Sequence, residues 1–174
     1  MRGAALAVLA IAALCGCLSD GPDRLGRGET LDGRVIRIAD GDTLTLLDDG
    51  LREHAVRLAF IDAPEKAQAY GKAAKWQLST RVYGRRVHAE VVEVDRYGRI
   101  VARIERDGED VNLALVEAGY AWHYPRYAKR RQDKTDFARY ATAQRLASDD
   151  QRGLWQATRP QPPWDYRKRQ RERQ

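Results

Sequence analysis

The feature that most constrains the fold is a series of short runs that alternate polar and apolar residues, each closed by a turn signal. Arg34-Val35-Ile36-Arg37-Ile38 leads into Asp40-Gly41-Asp42, and Thr43-Leu44-Thr45-Leu46 then alternates as far as the turn Asp48-Asp49-Gly50. Residues 56–61, VRLAFI, form a third run, and residues 87–94 and 99–104 flank the hairpin signal Asp95-Arg96-Tyr97-Gly98. A period of two interrupted by Asp/Gly turns predicts strands, because successive side chains on a strand point to opposite faces.

Helical spacing enters at three places. Residues 71–82 put Ala74, Leu78 and Val82 on one face. Val111, Ala114, Leu115 and Ala118 follow the i, i+3, i+4, i+7 pattern ahead of Gly119, and Tyr140, Ala143 and Ala147 mark a third helix that stops near Gly153. Five strands with a helix between the third and fourth predict an α+β fold, a five-stranded Greek-key barrel of the OB type with three helices.

The ends of the chain read differently. Arg2 precedes an apolar run at residues 4–14 that is too short to span a bilayer and suits an export signal. The run closes in Leu14-Cys15-Gly16-Cys17, which resembles a bacterial lipobox, so residues 1–16 are expected to be a lipoprotein-type signal. Cys17 would then be the lipidated first residue of an exported, membrane-anchored protein. An ordinary cleaved signal with an incidental Cys17 is the other reading. Both cysteines of the chain fall here, which excludes disulfides and thiolate metal sites from the exported part. Residues 17–29 read as a tether, 30–158 as the folded domain, and 159–174 as an extended Pro-containing segment with a basic tail. With 31 Lys+Arg against 25 Asp+Glu and a pI near 9.5, the balance favours polyanionic partners without specifying them.

Chemistry concentrates in three segments at strand ends: Asp40-Gly41-Asp42-Thr43, the stretch from Arg57 through Asp62-Ala63-Pro64-Glu65, and Asp95-Arg96-Tyr97-Gly98-Arg99. Asp42, Asp62 and Glu65 offer only oxygen, which selects a hard cation, Ca²⁺ or Mg²⁺, over zinc or copper. Each carboxylate taken alone also reads as a solvated turn residue, and Arg57 as one half of a structural ion pair. Carboxylates and arginines together, however, supply the parts of phosphoryl chemistry: a metal to neutralise charge, planar forks for phosphate oxygens and a carboxylate for the proton of water.

The segments ADGDTL, VRLAFIDAPE and DRYGR, in that order, resemble the thermonuclease (staphylococcal-nuclease-like) family. The stretches QAYGKAA, GEDVN, GYA and GLW from residue 68 to residue 155 agree with it. The resemblance implies an enzyme that hydrolyses phosphodiester bonds of DNA and RNA with little sequence preference, requires Ca²⁺ and leaves 3′-phosphates. It implies Asp42, Asp62 and the carbonyl oxygen of Ala63 as metal ligands, although Thr is familiar where Ala63 stands. It also implies Glu65 as the group acting on the attacking water, and Arg57 and Arg99 as the arginines on the scissile phosphate. Tyr97, Tyr124 and Tyr127 are candidates for contact with sugar or base, while His123 reads as a surface residue. A monomer is expected. The alternative is a catalytically silent, nucleic-acid-binding OB-fold lipoprotein; such a protein is expected to lack the arginines or the glutamate, which this chain retains.

Overall fold

Alternation becomes a closed barrel in the computed structural model, which describes residues 25–173. The export signal, the lipobox and Cys17 lie outside the described residues. Strands β1 (Thr30–Ile38), β2 (Thr43–Leu47) and β3 (Glu53–Leu58) form an antiparallel meander. A two-residue strand, β4 (Ile61–Asp62), and helix α1 (Gly71–Val82) lead on to β5 (Arg86–Val94) and β6 (Ile100–Arg106). β5 pairs with β1 and β6, and a parallel pairing of β3 with β6 closes the ring. Closure leaves none of the five strands as a bare edge. The inward positions are fully apolar: Val35, Leu44, Leu46, Val56, Leu58, Ala89 and Ile104 are buried. Each large aliphatic side chain so buried contributes about 1.5–3 kcal/mol.

Next come β7 (Glu109–Asp110) and α2 (Val111–Glu117), then β8 (Trp122–His123), which pairs with β4, and the single turn α3 (Pro125–Ala128). Helix α4 (Lys134–Asp149) and a 3₁₀ turn at Gly153–Gln156 complete the packed domain. Asp110 caps α2 by accepting from the Leu113 N–H at 3.0 Å, and the buried Tyr140 hydroxyl donates to the same carboxylate at 2.9 Å. That shared acceptor ties α2 to α4. The three predicted helices and five strands are all present, so the fold is the α+β, OB-type barrel.

Two segments depart from the sequence reading. The expected continuous strand at residues 56–61 breaks at Phe60, whose φ of 67° turns the chain out of the β3 direction. Buried Asn112 stabilises that corner by donating to the carbonyl oxygens of Ala59 and Ala102 at 3.0 and 3.1 Å. The second departure is the basic tail, which is a helix, α5 (Pro163–Arg171). Pro163 at its first turn, Asp165 beside it, and Lys168, Arg169 and Arg171 in the last turn all complement a helix macrodipole.

Candidate functional site

The turn between β1 and β2 sets the site. Gly41 is required there by close approach: a Cβ would lie 2.6 Å from the Ala74 Cβ and 2.7 Å from the Ala63 Cβ. Without a side chain at 41, α1 and the segment after β4 close over the turn and fix Asp42. Its backbone N–H donates to Asp40 Oδ1 at 3.1 Å, and its carbonyl oxygen accepts from the Leu58 N–H at 2.8 Å. The carboxylate accepts from the Ala63 N–H at 2.9 Å, Thr43 Oγ1 at 3.0 Å and Arg57 Nη1 at 3.0 Å. The corner at Phe60 brings Asp62 to the same place, where Arg57 Nη2 donates to its Oδ1 at 2.8 Å. Arg57 is therefore paired on both sides, and the attraction of Asp42 and then Asp62 raises its already high pKa.

Negative charge still exceeds what Arg57 neutralises. Burial and the charge of Asp42 push the Asp40 carboxyl up to about 6. Burial likewise raises the Asp62 carboxyl, whose side chain is wholly enclosed. A second guanidinium, from Arg167 on α5, answers part of that deficit. It donates to Asp62 Oδ2 at 2.7 Å, Asp62 Oδ1 at 3.1 Å and Glu65 Oε1 at 2.8 Å. Among the described residues, no group of three or more His, Cys, Asp or Glu side chains stands gathered as a ready metal cage. The donor set nonetheless fits a hard divalent cation. It is all oxygen, and the surplus carboxylate charge at Asp40, Asp42 and Asp62 favours a cation beyond the arginines.

One cavity of about 780 Å³ joins these residues. Asp42, Arg57, Ala63, Glu65, Tyr97, Arg99, Tyr124 and Tyr127 line it, together with Asp40, Arg167 and Arg171. Asp62 lies beneath it, behind Arg57 and Arg167. Arg99 reaches the rim from the β5–β6 hairpin, held by Asp95 through Nε at 2.8 Å and Nη2 at 2.7 Å. Burial works against the Asp95 anion, but its hydrogen bonds from Arg99 and the Arg99 and Tyr97 N–H groups win and lower its pKa. Tyr97 is 69% exposed with Arg96 over its ring. Tyr127 is half-buried, and burial beside Glu93 raises its hydroxyl pKa.

Such a cavity can hold an anion between Arg57 and Arg99 while a carboxylate stands by to take a proton. His123 is a correction: it is 1% exposed, with Nε2 3.1 Å from Gln132 Oε1, and burial lowers its pKa. The sequence reading gives Asp40 no role and Arg167 only membership of a basic tail that could touch phosphate or stay solvated, yet both line the cavity. The acidic doublet around Gly41 signals Asp40, whereas nothing local in the tail signals where Arg167 docks.

The family profile described as staphylococcal nuclease homologue matches residues 55–157. An uncharacterised endonuclease of Escherichia coli is 39% identical over 140 residues, covering 80% of this chain and 86% of that protein. A micrococcal nuclease of Shigella flexneri is 36% identical over 146 residues, covering 78% and 80%. A probable staphylococcal-like nuclease of Oryza sativa subsp. japonica is 39% identical over 117 residues, which span 67% of this chain and 33% of the plant protein.

Proposed function

The chain belongs to the staphylococcal nuclease homologue family, and on that premise we propose that it is a Ca²⁺-dependent nuclease of DNA and RNA. It cuts with little sequence preference and leaves 3′-phosphates. The observation that carries this reading is the convergence of Asp42, Glu65, Arg57 and Arg99 on one cavity, with Asp62 directly below. Asp42, Asp62 and the Ala63 carbonyl oxygen would hold Ca²⁺, which supplies positive charge against the phosphate oxygens. Arg57 and Arg99 clamp the diester and stabilise the charge that grows on its oxygens as phosphorus becomes five-coordinate. Glu65 takes a proton from the attacking water. A new O–P bond forms, the bond from phosphorus to the 5′ oxygen breaks, and that oxygen leaves and is protonated. Tyr124 and Tyr127 flank the path of sugar and base.

Purified protein incubated with DNA and with RNA tests this. Cleavage in Ca²⁺, loss of cleavage in chelator and 3′-phosphate ends are expected. Weak activity in Mg²⁺ is expected too, because Mg²⁺ demands a tight octahedron that carboxylates on separate loops do not impose. Full activity in chelator would remove the metal from the mechanism. Binding without cleavage under every metal condition would favour the silent nucleic-acid-binding reading.

We also infer export and anchoring through lipid on Cys17. Among the described residues no helix is long and apolar enough to cross a membrane, and the support is the lipobox-like sequence alone. Cys17→Ala should move the protein from the membrane fraction to the soluble one with nuclease activity retained; a wild-type protein already soluble with an unmodified N-terminus sinks the idea.

A further inference from the structure

Helix α5 lies beyond the residues matched by the family profile, yet it contacts the site directly. Three independent contacts hold it there. Gln68 donates through Nε2 to the Gln161 carbonyl oxygen at 2.6 Å. Trp164 stacks on Tyr124 with ring centroids 5.1 Å apart and planes 16° from parallel, and meets Trp122 edge-on at 5.8 Å. Arg167 then makes three charge-assisted hydrogen bonds to Asp62 and Glu65.

The oxygens that Arg167 occupies are those the proposed mechanism needs. Ca²⁺ requires carboxylate oxygens at about 2.3–2.6 Å on open lone pairs. Asp62 presents both of its oxygens to Arg167 and Arg57 together, and its side chain has no exposed surface. Arginine stays protonated at any working pH, so it cannot give way by losing its charge. It can only move, and two cations on one carboxylate repel. Moving Arg167 also strains the stack of Trp164 on Tyr124, since Trp164 and Arg167 stand about one helical turn apart on α5.

We propose that α5 is a latch closed by a cation of the chain's own. Arg167 competes with the divalent metal for Asp62 while occupying an oxygen of Glu65, and metal binding releases the helix and uncovers Tyr124. The proposal rests on the reading of Asp62 and Glu65 as metal and water-handling carboxylates. In the closed state the latch gives buried Asp62 a second cationic partner beside Arg57, which Asp42 shares, and it stays on the cavity until Ca²⁺ arrives.

Calcium titrations by calorimetry, without nucleic acid, test it on wild type and on Arg167→Gln, Trp164→Ala and Asp42→Ala. Hydrogen exchange of residues 163–171 is followed with and without Ca²⁺. Arg167→Gln should tighten Ca²⁺ binding on the order of 10-fold, because the competitor it removes is a set of hydrogen bonds between charged groups. Trp164→Ala should shift affinity in the same direction by less, and Ca²⁺ should speed exchange in 163–171 of wild type. Equal or weaker affinity in Arg167→Gln, with exchange in the helix unchanged by Ca²⁺, overturns the latch. In that event Ca²⁺ binding to wild type and its loss in Asp42→Ala would leave the metal reading standing. If wild type and Arg167→Gln both fail to bind Ca²⁺, the latch falls together with that reading.

Discussion

The β2–β3 and β5–β6 hairpins turn in the same way and serve different ends. In each, an aspartate stands four residues before an arginine. Asp48 accepts from the Arg52 N–H at 2.8 Å and from its Nε at 3.1 Å, and Asp95 accepts from the Arg99 N–H at 3.0 Å and from its Nε at 2.8 Å. In each, the third residue after the aspartate has a positive φ, 59° at Leu51 and 78° at Gly98. The outcomes diverge. The Arg52 side chain is 64% exposed, and its aspartate is shared with His54 at 2.8 Å. Arg99 is half as exposed and lines the cavity. Position in the barrel makes the difference. The Asp48 turn closes the end of the β2–β3 hairpin away from the Thr43–Arg57 pair, whereas the parallel register sets Arg57 beside Val101, two residues from Arg99. An aspartate-stapled arginine is thus a local device, and where the strand carrying it lies in the barrel decides what it does.

The largest contrast should come from the arginines themselves. If Arg99 clamps the diester as proposed, Arg99→Gln should lower kcat by about 10²–10³, with substrate affinity moving little. Arg52→Gln, in the matching turn, should leave kcat at the wild-type value. Single-turnover cleavage of a short DNA duplex measures both; equal effects from the two would break the distinction between the hairpins.

A smaller effect separates the aspartates. His54 first, then the Arg52 N–H and guanidinium, hold the Asp48 carboxyl far below its ordinary 3.8. A carboxyl whose pKa is depressed by folding releases its proton more readily in the native state, so its stabilisation is complete above about pH 4. It fades as the pH falls below that toward the folded value. Asp48→Asn should therefore lower Tm at pH 7 and flatten the loss of Tm between about pH 4 and pH 2. Asp95→Asn should act in the same direction but less, because burial offsets part of the gain at Asp95. Thermal melts across that range decide; a steeper acid limb in Asp48→Asn would contradict the ion-pair account.

The smallest effect concerns the positive-φ position. Leu51 pays the left-handed penalty that Gly98 avoids, a cost of about 1–2 kcal/mol per residue. The greater freedom of glycine in the unfolded chain returns part of it. Leu51→Gly should stabilise by about 0.5–1 kcal/mol and Gly98→Ala should destabilise by a similar amount. No heavy atom lies within 4 Å of a Cβ at Gly98, so only the backbone resists that substitution. Urea denaturation of the two variants reads the difference.

Much of this molecule follows from the sequence by itself. Strand alternation, the Asp/Gly turns and the faces carrying Leu78, Tyr140 and Leu115 specify five strands and three helices, because period and turn chemistry are local properties. Pairing Asp42, Asp62 and Glu65 with Arg57 and Arg99 was legible from motif order, since all five sit at strand ends or in turns. Tertiary structure decided three things. It broke the third strand at Phe60, where Asn112, from a helix 52 residues along, takes the carbonyl oxygen of the preceding Ala59. It buried His123 between α4 and its neighbours, against Phe137 and Tyr140. It folded the basic tail onto Asp62 and Glu65. The tail's helical signals are local, yet the segment reads as extended from sequence, and the partners of Arg167 lie 102 and 105 residues away. A charge that finds its counter-charge across such a separation leaves no pattern in its own neighbourhood, and the packing of the tail against Gln68, Trp122 and Tyr124 brings the two together.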